Sequence, residues 1–160
     1  MSIAQTARPT SSCKEIMKTV SAEGLASLIK GSNENNLIID CRSFLAYNKE
    51  HIEQAVNVRC NRIMKRRQHG CFSLENAIMN SEKRKQFLDG DLFSVVVYDE
   101  NGDINSEDLQ EKQKTVVLVY KVIRDHARLD VNVWYLKGAF KNELSLWSIL
   151  NHRWTIFLTS

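Results

Sequence analysis

The chain has 160 residues, enough for one domain with a substantial core and too few for two comfortable ones. Its composition, 43% apolar and 26% charged with one Pro and six Gly, excludes a collagenous, coiled-coil or wholly disordered chain, and no apolar run reaches the roughly 18 residues of a membrane helix. The net charge of +3 is unevenly spread: no carboxylate lies between Glu53 and Glu75, where Arg59, Arg62, Lys65, Arg66 and Arg67 cluster, a segment that fits either a solvated helix face or a local acidic partner.

Residues 1–18, with Pro9 and a run of Thr and Ser, read as a flexible N-terminal arm lacking the apolar core of a secretory signal. Ser21 is placed to cap a helix on which Leu25, Leu28 and Ile29 recur at helical spacing, closing at Gly31. Leu37, Ile38 and Ile39 form the continuous apolar run of a buried parallel strand. Phe44 to Lys49 predicts a helical turn, Ala55 to Val58 a short strand, and Cys60 to His69 a helix closed by Gly70. Two short helices are predicted over Leu74 to Met79 and Glu82 to Leu88. Val95 to Tyr98 is the clearest strand, stopped by Asn101-Gly102. A helix over Gln110 to Ala127 puts Val116, Val119, Tyr120 and Ile123 on one face, and Val131 to Leu136 is a further strand before the turn at Gly138. Strands alternating with helices predict an α/β layered fold with parallel strands.

Cys13, Cys41, Cys60 and Cys71 contain no Cys-x-x-Cys pair, which argues against a disulfide scaffold or zinc site and for a reducing compartment, the nucleus or cytoplasm. No Gly-rich phosphate loop, Ser elbow or Walker-type lysine is present, so neither a cofactor nor a metal is expected. The basic segment has few aromatics beside it, which disfavours nucleic acid as its partner.

Asp40-Cys41-Arg42, Tyr47, His51-Ile52 and Ala55-Val56-Asn57-Val58 together resemble the rhodanese signature. The resemblance implies a three-layer rhodanese-like α/β domain with a short, mainly parallel central sheet flanked by helices. Asp40 and Arg42 would then fix the loop leaving a strand by charge-assisted hydrogen bonds, and His51 reads as a scaffold residue. More narrowly, residues 37–47, 56–67 and 96–100 are similar to the N-terminal domain of dual-specificity MAP-kinase phosphatases, with likeness from about Val20 to Phe140. A domain over 19–140 is expected, followed by a tail over 141–160 outside the family pattern. The resemblance implies docking of MAP kinases through Ile63, Met64, Lys65, Arg66 and Arg67, negatively regulating their signalling. Arg62 lies three and four positions from Lys65 and Arg66, so a helix would place these charges on one face. Guanidinium groups grip carboxylates of an acidic groove in bidentate fashion, while Ile63 and Met64 suit an adjoining apolar pocket.

Enzymatic readings fare less well. Cys60 and Arg66 have the Cys-x5-Arg spacing of a tyrosine-phosphatase loop, but Ile, Met and Lys fill the interval where small residues must let backbone N–H groups converge on an anion. Active rhodaneses open their anion-binding loop with a Cys after the central strand, and here Val95–Tyr98 leads to Asp99 and Glu100. No catalytic residue is therefore expected. The tail departs from the family, as does Ala139 where a second Gly follows Gly138 in the pattern; an Ala there requires a negative φ. Residues 141–160 are expected either to mark a short form or fragment lacking the phosphatase domain, or to complete a final core helix. The alternative function is that of a dual-specificity phosphatase acting on phospho-Thr and phospho-Tyr of MAP kinases.

Overall fold

The computed structural model describes residues 17–31, 35–58, 72–100, 102 and 115–138, with the backbone of 154–156. Among these, five strands form one sheet in the order β1-β6-β5-β2-β4: Thr19–Val20 (β1), Asn36–Asp40 (β2), Val56–Asn57 (β4), Ser94–Tyr98 (β5) and Asn132–Leu136 (β6). Every pairing in it is parallel, with Ile39 opposite both Val97 and Val56. A separate antiparallel pair joins Glu50–Ile52 (β3) to Trp154–Ile156 (β7). The helices are Ala22–Gly31 (α1), Phe44–Lys49 (α2), Leu74–Ala77 (α3), Ser81–Asp89 (α4) and Thr115–His126 (α5).

The central strands carry continuous apolar runs, Leu37–Ile39 and Val95–Val97, because both faces are covered. Leu37, Ile39, Val95, Val97, Val133 and Tyr135 point to one core with Leu74, Phe87, Val116, Val119 and Ile123 from α3, α4 and α5. Ile38, Val96, Tyr98 and Leu136, one residue out of phase, point to a second core with Leu25, Ala26 and Ile29 from α1. The period-two alternation of the strands thus divides their side chains between two helical layers, the expected three-layer α/β architecture.

Local chemistry sets the element ends. Ser21 Oγ accepts from Gly24 N at 3.1 Å at the start of α1, and the Ser43 and Asn80 side chains accept from Ala46 N and Lys83 N to open α2 and α4. Gly90, at φ +83°, closes α4 in the left-handed conformation that glycine adopts without Cβ strain. The stripe expected on the long helix is the one buried in α5: Val116, Val119, Tyr120 and Ile123.

Three short strands have no counterpart among the expected elements. Lys18 O takes the N–H of Tyr135 at 2.8 Å, leading β1 onto β6. β3 carries the sequence Glu-His-Ile, without an apolar pattern. Trp154–Ile156 is a strand, so a core helix running through those positions is excluded. The expected helix over Cys60 to His69 and the start of the long helix, residues 110–114, lie outside the described residues. No helix among the described residues is long and apolar enough to cross a membrane.

Candidate functional site

The signature residues converge at the carboxyl end of β2. Asp40, fully buried as the last residue of β2, accepts from Arg42 N at 2.8 Å and from Arg42 Nε at 3.1 Å on each carboxylate oxygen. Arg42 Nη2 donates to Asp40 Oδ2 at 2.8 Å and to the Glu50 carbonyl at 2.6 Å, tying β2 to β3. The Tyr98 hydroxyl, from the end of β5, donates to Asp40 Oδ2 at 2.7 Å. A carboxylate and a guanidinium removed from water persist only when mutually paired and otherwise hydrogen-bonded, and both conditions hold here.

A second ring of contacts surrounds this pair. Asn57 Nδ2 donates to the carbonyls of Asp40 and Arg42, each at 3.1 Å, so the end of β4 is clamped to the β2 turn. Tyr47 donates to the Ala55 carbonyl at 2.8 Å, and its ring stacks on His51 at 3.9 Å between centroids. His51 is buried, with Nδ1 2.8 Å from the Tyr47 carbonyl, the scaffold role expected of it. These contacts fix where the chain leaves β4. Val58 N then donates to Asp40 O at 3.0 Å, and Val58 and Phe72 are both buried in the core beneath α3–α5. The basic stretch is therefore bounded by one anchored apolar residue on each side. Arg62, Ile63, Met64, Lys65, Arg66 and Arg67 themselves lie outside the described residues, as do Cys60 and Ala139.

The electrostatics of the bracket are legible in its titrating groups. Burial alone would lower the Arg42 pKa, but the hydrogen bonds and charge of Asp40 outweigh it and raise the value. Burial, then the charge of Asp40 and the bond to it, push the Tyr98 phenol well above its ordinary value. Burial and Asp40 also raise Tyr47. The raised Tyr98 value sets a pH dependence: the folded chain keeps a proton that the unfolded chain releases near pH ~10. The unfolded state therefore binds fewer protons above that pH. Stability is expected to hold below pH ~10 and to fall as pH rises beyond it. Urea unfolding of the wild type and Tyr98→Phe between pH 8 and pH 11 checks this, with a lower plateau and a shallower alkaline fall expected for the variant.

At the end of β5, the position where an active rhodanese would open its loop holds Asp99, which is buried. Its Oδ1 accepts from the Tyr135 hydroxyl at 2.8 Å and from Gly102 N at 3.1 Å, and Gly102 O in turn accepts from Gly138 N at 2.9 Å. Asp99 thus braces β5, β6 and the turn after each. Cys41, the cysteine within the described residues, is buried among apolar neighbours of the core. No group of three His, Cys, Asp or Glu among the described residues is placed to hold a metal ion. Sequence reasoning found the Asp40–Arg42 pair and His51 but not Tyr98 or the Asp99–Tyr135 brace. The available signal was a carboxylate at the end of an apolar run, Asp40 closing β2 and Asp99 following β5, which marks the carboxylates but not their tyrosine partners.

This arrangement is that of a rhodanese-like domain, and the family model described as "Rhodanese-like domain" matches residues 21–143: the chain belongs to that family. Within it, the chain is homologous to the N-terminal region of dual specificity protein phosphatases 1 and 4. It is 35% identical over 123 residues to dual specificity protein phosphatase 1 of Homo sapiens, covering 77% of this chain and 33% of that protein. It is 37% identical over 121 residues to dual specificity protein phosphatase 4 of Rattus norvegicus, covering 75% and 29%. Against the Gallus gallus phosphatase 4 the identity is 41% over 107 residues, covering 66% and 28%. The chain thus matches about a third of the length of these relatives. Of solved structures, the rhodanese-like domain of the Anabaena sp. Alr3790 protein is similar at 16% identity and a TM-score of 0.47, over 89% of this chain and 82% of that one.

Proposed function

We propose that this chain is a non-catalytic recruiting domain for MAP kinases, related to the N-terminal domain of MAP-kinase phosphatases. The carrying observation is the run Arg62 to Arg67, basic with two apolar residues and set in a stretch free of carboxylates, within a chain homologous to dual specificity phosphatases. Support comes from the flanks: the Asp40–Arg42–Asn57 bracket and the buried Val58 and Phe72 give that run a fixed origin and return. Arg62, Lys65, Arg66 and Arg67 engage an acidic groove on the kinase, and Ile63 and Met64 enter its apolar margin. In a longer chain the same element delivers the kinase to a phosphatase domain. Alone it holds the kinase or competes with other docking partners, in the nucleus or the cytoplasm, and its basic run also suits an import signal.

Isotherms against a panel of MAP kinases at two salt concentrations test this. Micromolar binding is expected, weakening with salt as exposed charge pairs do. Changing Lys65, Arg66 and Arg67 together to Ala is expected to weaken it by about tenfold or more, with an unchanged unfolding midpoint. Binding indifferent to these changes overturns the reading. The alternative, a dual-specificity phosphatase activity residing in this chain, is tested by hydrolysis of an aryl phosphate with Cys60→Ser as control.

A further inference from the structure

The main chain of β3 is divided between two edges. Glu50 N donates to Ala46 O, and Glu50 O accepts from Arg42 Nη2. Ile52 N lies 3.4 Å from the Tyr98 hydroxyl, and Ile52 O accepts from Ala55 N at 2.9 Å. All four groups are held by the domain itself. In a strand, the N–H and C=O of alternate residues point to opposite edges, so those of His51 point the other way. There the register puts Thr155 opposite His51, with Ile156 opposite Glu50 and Trp154 opposite Ile52. His51 and Thr155 are therefore the pair that exchanges both main-chain hydrogen bonds, flanked by two that do not.

Two further observations bear on β7. It pairs with β3 and with no strand of the five-stranded sheet. It also lies beyond residue 143, where the rhodanese-like match ends. The inner edge of β3 is thus bonded to Ala46, Arg42, Tyr98 and Ala55, none of them in β7, while the outer edge takes a segment from outside the family match. We propose that the outer edge of β3 is a strand-addition site, filled in this chain by Trp154–Ile156 and able to take an extended, uncharged, β-prone peptide of the same kind in its place. Recognition runs through the His51 N–H and C=O, the main-chain mode by which extended peptides join a strand edge. Tethering gives the chain's own strand an effective concentration of about millimolar, so a competitor must bind well or be present at that level.

The test uses the full chain. Thr155→Pro removes the N–H that pairs with the His51 carbonyl and leaves every residue of the rhodanese-like match intact. Amide exchange at His51 is expected to quicken by about 100-fold in this variant, with Val96 in β5 unchanged, since local opening is separable from global unfolding. A peptide spanning residues 151–158, added at about 1 mM, is expected to restore protection of His51 in Thr155→Pro and to do nothing to the wild type. Thr155→Ala, which keeps the N–H, is expected to behave as wild type. Unchanged exchange at His51 in Thr155→Pro, loss of protection at Val96 together with His51, or failure of the peptide to restore protection each overturns the proposal. None of these outcomes depends on kinase docking.

Discussion

Arg42→Ala is expected to destabilise the domain by about 3–5 kcal/mol, because it leaves the Asp40 carboxylate buried and stripped of its counter-charge. Asp40 is wholly removed from solvent, and Arg42 supplies it with the main-chain N–H and two side-chain nitrogens. The Ala variant keeps the first and the Tyr98 hydroxyl but loses the guanidinium, along with the link to the Glu50 carbonyl. Asp40→Asn combined with Arg42→Met is expected to cost less than Arg42→Ala alone, since neutralising both partners removes the unpaired charge. Urea midpoints of Asp40→Asn, Arg42→Met and the double variant measure the coupling, with Arg42→Ala alongside. A loss below about 1 kcal/mol for Arg42→Ala would show that water reaches the carboxylate.

Phe72→Ala is the second large effect expected, about 3–5 kcal/mol for a buried aromatic truncated to a methyl group. Phe72 belongs to the same core as Val58, Leu74, Ile78 and Phe87, so the lost ring leaves a cavity in the layer that α3 and α4 share with the sheet. Phe72→Leu, which keeps most of the volume, is expected to cost less than about 1.5 kcal/mol. Calorimetric unfolding of both variants gives the comparison. Equal midpoints for the two would place Phe72 outside the cooperative core.

Much of the fold was legible because its signals are periodic or continuous. The α5 stripe, the runs Leu37–Ile39 and Val95–Tyr98, and the helix opened by Ser21 all announce themselves within a few residues. What escaped is held by contacts distant in sequence. β1 is two residues long and owes its existence to β6, more than a hundred positions away. β3 has the sequence of a polar turn and becomes a strand through Arg42, Tyr98 and β7. In the bracket, the Asp40–Arg42 partners are two residues apart and carry a recognisable pattern. Tyr98 reaches Asp40 across 58 positions, and no local pattern marks that pairing.

The Asp99 brace makes its position costly to change. Its carboxylate accepts from a tyrosine on the neighbouring strand and from a loop amide, so it holds two other parts of the chain in place. A cysteine placed at that position would offer the buried Tyr135 hydroxyl only a weak thiol acceptor, and would slacken the turn that passes through Gly102 to Gly138. Sulfur chemistry introduced at that position would therefore come at the expense of the brace between β5, β6 and their turns. The position is a shared support: a change there is felt in β5, β6 and the turn after each at once.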